Sequence, residues 1–310
     1  MSGRGIVSSI AQADAPSGKY ADLHVHTDHS DGSDSPRRVV ERAVQEGLAA
    51  IAITDHDTVS GLDAASVAAR THGIELIPGT EISASFGRVE VHVLGLGIDP
   101  DHPQLVEALE EQRAARSRRI DTILERLNAL GIPLDLDDLK AQAACAGSLG
   151  RMHVAQALHA RGVTRTVQEA FDKYLRPKRK AYVAKQMIGC RRAIDLIHEA
   201  GGVAFLGHPG LGATLTRLLP RLLDMPFDGI EVYHPKHTPG HVTQFTHVAL
   251  ERDLLISGGS DCHGTASTDA PNLGLIRLPY HHVERIKEAI RQRAAVGREP
   301  QTEQVGPVRE

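Results

Sequence analysis

Apolar and polar positions follow two different periods along this chain. Short apolar, β-branched runs recur at 21–25 (ADLHV), 49–53 (AAIAI), 74–77 (IELI), 89–96 (VEVHVLGL), 203–207 (VAFLG), 229–233 (GIEVY) and 254–257 (LLIS). Their length and make-up are those of buried strands. Between most of them the apolar period lengthens to that of a helix. The clearest helix begins at Ser35-Pro36, a cap followed by a residue preset for a first turn, places Val39, Val40, Ala43 and Val44 on one face, and stops at Gly47. Strand and helix in alternation predict a parallel α/β sheet, and the seven runs predict a closed or nearly closed barrel.

Between 101 and 190 the strand pattern disappears. An amphipathic stretch, roughly 102–130, carries Leu105, Leu109, Ile120, Ile123, Leu124 and Leu127 on one face and Arg113, Arg116, Arg118 and Arg119 on a solvated basic side. A Gly-Pro break and helical patterns near 151–161 and 166–175 follow. The expected organisation is a flexible tail (1–19), a discontinuous barrel (20–100 and 190–296), a helical insertion (101–189) and a polar tail (297–310).

Charge sharpens that division. The formal net charge is −4, yet residues 101–190 hold 15 Lys and Arg against 11 Asp and Glu, while the remainder holds 20 against 28. An acidic body suits cations and a basic segment suits phosphates. Trp is absent and there are only five Tyr and five Phe, so the core is aliphatic and stacking surfaces for nucleic-acid bases are scarce. Cys145, Cys190 and Cys262 are scattered without CxxC spacing, which argues against a disulfide framework or thiolate zinc site and fits a reducing cytoplasm. No apolar run reaches the ~20 residues of a membrane helix.

The candidate chemistry lies in DLHVHTDHSDG, residues 22–32. His24 and His26 are two apart on a strand, so both side chains leave one face. Asp31 follows. Asp55, His56 and Asp57 come directly after the second strand run, Glu81 after the third, His92 inside the fourth, His208 after the fifth, and Asp261 with His263 after the seventh. Almost all fall at the carboxyl ends of expected parallel strands, the rim on which α/β barrels build their sites. His24, His26, Asp31, His56, Glu81, His92, His208, Asp261 and His263 exceed the needs of one ion, since zinc takes about four ligands and octahedral ions about six. Two or three divalent metals are implied. Nitrogen and oxygen donors without thiolate suit manganese first, with iron, zinc or magnesium as alternatives. Clustered ions of this kind activate a bridging water and clamp phosphoryl oxygens. Asp55 and Asp57 read as orienting or capping groups.

DLHVHTDHSDG, ITDHDT, PGTE, VHVLG, GHPG and GSDCHG together resemble the successive motifs of the PHP (polymerase and histidinol phosphatase) superfamily. The resemblance implies a distorted (β/α)7 barrel with a trinuclear metal centre. It assigns a first metal to His24, His26, Glu81 and Asp261, a second to Glu81, His92 and His208, and a third to Asp31, His56 and His263. VHVLGLGIDP, GRMHVAQALHARG and EAFDKYL resemble the branch of nucleoside 3′,5′-bisphosphate phosphatases and the 5′→3′ exoribonuclease RNase AM, in which a helical insertion covers the barrel mouth.

The expected function is therefore hydrolysis of a nucleotide phosphate ester through a metal-bridging hydroxide, with the 3′-phosphate of nucleoside 3′,5′-bisphosphates as the foremost substrate. Exoribonuclease action on short 5′-phosphorylated RNA is the alternative. A non-catalytic metal-binding module and a carbon–nitrogen hydrolase are the competing classes. Arg151, Lys180 and His237 are candidate substrate contacts, with His237 also the candidate catalytic side chain. His234 is not assigned to a metal. A small nucleotide or short oligonucleotide is the expected partner, and neither a membrane nor a protein partner is expected.

Overall fold

The computed structural model describes residues 18–142, 149–264 and 272–296. Cys145 and all but residues 18–19 of the two expected tails lie outside this range.

In chain order the first elements are β1 (Tyr20–Val25), α1 (Pro36–Gln45), β2 (Ala50–Ile53), α2 (Leu62–His72), β3 (Glu75–Phe86) and β4 (Val89–Leu96). Next come α3 (Pro103–Ala129), α4 (Leu136–Lys140), α5 (Arg151–Ala160), α6 (Val167–Ala170), a π-helical turn (Phe171–Leu175) and β5 (Ile188–Gly189). The chain then runs through α7 (Cys190–Glu199), β6 (Val203–Leu206), α8 (Ala213–Leu222), β7 (Gly229–Tyr233), α9 (Pro239–Glu251), β8 (Leu255–Gly258), β9 (Leu278–Pro279) and α10 (Tyr280–Val296).

The strands form one sheet in the order β8-β7-β6-β4-β3-β2-β1-β9. A bridge between Val25 and Cys262, with His26 donating its N–H to the Cys262 carbonyl at 2.9 Å, brings the two ends together into a nearly closed barrel. All seven expected strands exist, with β5 and β9 as two-residue additions. α1 starts as expected: the Ser35 hydroxyl accepts the Arg38 N–H, Pro36 opens the first turn, and Val39, Val40 and Ala43 are buried. Val44 does not share that face. It lies about 100° further round than Ala43 and is exposed.

The sheet is not all parallel. β3 pairs parallel with β2 over Glu75–Pro78 and then antiparallel with β4 from Gly79 to Phe86; β4 is also antiparallel to β6. The Pro78-Gly79 step does not end the strand. A Cβ on Gly79 would lie 2.8 Å from the Gly95 carbonyl oxygen, so glycine is what lets β3 pass close to β4. The two strands are joined by Gly87-Arg88, with Gly87 at φ 63°, and a two-residue link can join only antiparallel neighbours. Glu81 and His92 therefore sit mid-strand, not at carboxyl ends.

The barrel carries most of the buried apolar residues, and a separate cluster lies among the helices between β4 and β5. α3 belongs to both. Its Leu105 and Leu109 pack on the barrel, while Ile120, Ile123, Leu124 and Leu127 pack with Val154 and Leu158 of α5. The basic side of α3 is only partly solvated: Arg113 and Arg118 are exposed, but Arg116 and Arg119 turn inward.

Candidate metal centre

The structure brings all nine sequence candidates to one end of the barrel. Glu81 is the hub. Its Oε2 faces Nε2 of His24 at 3.2 Å, Nε2 of His26 at 3.3 Å and Nδ1 of His56 at 3.1 Å, while Oε1 faces Nδ1 of His92 at 2.6 Å and Nε2 of His208 at 2.9 Å. Asp261 Oδ1 lies 3.2 Å from His26 and 3.5 Å from His24, and Asp31 Oδ1 lies 3.3 Å from Nε2 of His263.

Among the described residues three donor groups emerge: His24, His26, Glu81 and Asp261; His26, Asp31, His56 and His263; and His56, Glu81 and His92. Within each, the ligand atoms lie within 4.8 Å of one another. His208 joins through its contacts to Glu81 and to His92 Nδ1 at 3.2 Å.

Local backbone explains the convergence. His24 and His26 share a face of β1 and its extension. The His56 loop is held against β3 by the Asp57 N–H on the Glu81 carbonyl at 3.0 Å and the Glu81 N–H on the Asp55 carbonyl at 3.2 Å. Asp57, His208 and Asp261 all adopt positive φ, at 52°, 25° and 52°. Such conformations cost non-glycine residues about 1–3 kcal/mol each and gather at functional sites.

The buried charges balance unevenly. Burial alone would raise the Glu81 carboxyl, but His56, His92 and His24 hold it well below the usual range. Burial likewise opposes a charge on His26, yet Asp261 and Glu81 outweigh it and push its pKa up to about 10; Glu81 and Glu90 lift His92 to about 10 against the same penalty. Burial drives His56 down to about 3 despite Glu81 and Asp31.

The donor set fits divalent cations. One Glu81 oxygen confronts three imidazole nitrogens, more than a single proton can bridge, while both ring nitrogens of His26 and Nδ1 of His56 are buried with no well-aligned hydrogen-bond partner among the described residues. Two ligand atoms each about 2.1 Å from an ion, at tetrahedral or octahedral angles, are roughly 3.0–3.4 Å apart. Most of the nitrogen–oxygen separations above fall there.

Glu231 is a residue that sequence reasoning missed. Fully buried on β7, it accepts from His24 Nδ1 at 2.9 Å and from the His208 N–H at 2.7 Å. The first bond fixes the His24 tautomer and turns Nε2 toward Glu81 and Asp261, as carboxylates behind metal-binding histidines do. The available signal was an acid in the otherwise apolar run GIEVY. Replacing Glu231 by alanine is expected to weaken divalent-cation affinity about 10–100-fold, measured by competition with a fluorescent chelator; unchanged affinity would rule out the orienting role.

Asp55 and Asp57 act as expected of orienting groups, with one difference. Asp55 accepts the Thr27 N–H at 2.7 Å and the Ser30 hydroxyl at 2.5 Å, shaping the Asp31 loop. Asp57 reaches outward to Gln112 at 3.1 Å and to Arg116, tying α3 to the barrel.

A cavity of about 530 Å³ opens beside the centre, lined by His56, His92, Arg116, Arg119, Arg151 and Lys185 among others. Arg151, a candidate substrate contact from the sequence, is among the residues that line it. Lys180 is exposed and outside this cavity, whose lysine is Lys185, paired with Glu90. His237 is buried, with Nδ1 on the Val232 carbonyl at 2.8 Å and Nε2 accepting from the Gly210 N–H at 3.2 Å, so backbone occupies both ring nitrogens. Its neighbour His234 is closer to the centre, with Nε2 3.3 Å from Asp261 Oδ2.

The sequence profile of the PHP domain matches residues 22–246. An Escherichia coli protein named 5′-3′ exoribonuclease Rnm is 38% identical over 248 residues, covering 78% of this chain and 84% of its own length. A Chromobacterium violaceum 3′,5′-nucleoside bisphosphate phosphatase is 36% identical over 248 residues, covering 78% and 86%. A crystal structure from Bifidobacterium adolescentis, inferred to be a metal-dependent phosphoesterase, superposes with a TM-score of 0.74 at 34% identity, covering 88% of this chain and 97% of its own. The profile spans seven of the nine donors, from His24 to His208, and with the sequence relatives and the structural neighbour it shows that the chain belongs to the PHP domain family.

Proposed function

We propose that this metal-dependent phosphoesterase removes the 3′-phosphate of nucleoside 3′,5′-bisphosphates, using two or three divalent cations, manganese foremost. His24, His26, Glu81 and Asp261 would hold one cation, Glu81, His92 and His208 a second, and Asp31, His56 and His263 a third. When bound, such ions lower the pKa of water and neutralise phosphoryl oxygens. The segment 101–189 acts in this reading as a helical insertion that covers the centre. The described residues include no helix long and apolar enough to cross a membrane, and the free buried thiols Cys190 and Cys262 accord with a cytoplasmic enzyme.

The observation that carries the substrate is the pair Arg119 and Arg151 in the larger cavity. Arg119 donates Nε to the Val183 carbonyl at 3.0 Å, and Arg151 donates to the Leu175 carbonyl at 3.4 Å. Neither has a carboxylate partner within salt-bridge distance among the described residues. Burial first, and then repulsion from Arg151, lowers the Arg119 pKa. An anion between the two guanidinium groups relieves both costs. A substrate with one phosphate at the metal centre and another a nucleoside away supplies that anion.

Phosphate release from 3′-phosphoadenosine 5′-phosphate, compared with adenosine 3′-monophosphate, tests this. The bisphosphate is expected to be preferred about a hundredfold in kcat/KM, the worth of charge-assisted contacts to the 5′-phosphate. Arg151→Ala removes most of that preference. Equal turnover of the two compounds by the wild-type protein would overturn the assignment. The relative named as an exoribonuclease favours a second reading, action on short 5′-phosphorylated RNA, whose first nucleotide presents the same two groups.

A further inference from the structure

We infer that a second cavity, of about 390 Å³, is the subsite for the nucleotide that follows the scissile phosphate in a short RNA. This rests on the proposed reading of the metal centre. It extends the substrate from a mononucleotide to a chain.

The chemistry makes the two substrates variants of one reaction. With a bisphosphate, a water oxygen bonds to phosphorus, the P–O3′ bond breaks and the 3′-oxygen takes up a proton, giving a nucleoside 5′-phosphate and inorganic phosphate. With RNA the same bonds form and break. The phosphorus then stays on O5′ of the next nucleotide, which acquires a new 5′-phosphate. The RNA reaction needs only room beyond the phosphorus for a second ester substituent.

That room is present. The two cavities meet at His56, Arg116, Ile120 and Leu149 and otherwise take different residues of α3. Helical spacing puts Arg119 on the flank facing the larger cavity and Glu110, Arg113 and Ser117 on the smaller one, with Arg116 bordering both. His29 of the loop after β1 also lines the smaller cavity, with Nδ1 bonded to the Ser60 hydroxyl at 2.8 Å, which in turn contacts the Thr58 hydroxyl at 3.0 Å. Ile120 and the exposed Leu136 give an apolar face for a ribose or base.

Arg113 suits the next phosphodiester. Glu110 disfavours a free phosphate there and accepts instead from a 2′-hydroxyl or an exocyclic amine. The lining therefore selects a nucleoside over a second bare anion. The volume falls within the roughly 300–1,000 Å³ of pockets that hold one small ligand. His29 is the one histidine of DLHVHTDHSDG outside the three donor groups, and this subsite accounts for it.

The test compares a 5′-phosphorylated trinucleotide with 3′-phosphoadenosine 5′-phosphate, using wild-type protein, His29→Ala and Ser117→Trp, all reconstituted with manganese. In both variants kcat/KM for the trinucleotide is expected to fall at least about tenfold relative to that for the bisphosphate, chiefly through KM. Calorimetric Kd values for a phosphorothioate-linked 5′-phosphorylated dinucleotide should rise by a similar factor. If Ser117→Trp fails to fold, His29→Ala carries the comparison alone. A constant ratio between the substrates, or an unchanged Kd, would overturn the subsite. A wild-type protein that cleaves the bisphosphate but not the trinucleotide also overturns it while leaving the proposed function standing; cleavage of neither removes both.

Discussion

Glu81→Gln is expected to lower phosphoester hydrolysis at least about a thousandfold, with a parallel loss of bound metal. The substitution keeps the shape of the side chain, so the effect isolates its charge and lone pairs. Oε1 faces two imidazoles and Oε2 three, and an amide group in either position turns a donor hydrogen toward nitrogens that need an acceptor or a cation. Several kcal/mol of charge stabilisation depend on such ligands, and each 1.4 kcal/mol or so is a factor of ten in rate. Turnover with saturating manganese and metal content by elemental analysis measure the two losses. A variant that keeps more than about a tenth of wild-type turnover would contradict the hub role.

Chelation should abolish turnover, and readdition of manganese should restore it with release of protons. The carboxylates around His26 and His92 outweigh the penalty of burial and push both pKa values up to about 10, which favours protons on these rings whenever no cation competes for them. Cations compete with those protons for the same nitrogens. The sign follows: at neutral pH uptake displaces protons, affinity falls as pH falls, and excess manganese recovers activity lost on mild acidification. Calorimetric titration in buffers of different ionisation enthalpy checks this, since the observed heat should vary linearly with the buffer's. Heat independent of the buffer would mean that no imidazolium is displaced.

Much of the candidate centre was legible in the sequence because its donor side chains come in short motifs fixed by local geometry. His24 and His26 are legible from a period of two, and His56, His208, Asp261 and His263 from their position after apolar runs. What stayed hidden depends on partners distant in sequence. Pro78-Gly79 looks like a break, and only the approach of Gly95 shows that β3 continues through it. Glu231 resembles any strand residue until its partners His24 and His208 are brought to it from 207 and 23 positions away. Arg116 falls on the polar face of a helix, as the periodicity says. That face looks onto Asp57 and the barrel mouth instead of open water, which no pattern within the helix records.

The long helix α3 has a mechanical consequence. Its N-terminal half packs on the barrel and its C-terminal half in the helical cluster, and between them Gln112 and Arg116 reach Asp57 beside the candidate centre. A segment hung on a loop could move on its own, whereas one continuous helix of 27 residues carries any tilt at one end to the other. Any shift of the helical cluster is therefore felt at the barrel wall on which Leu105 and Leu109 pack.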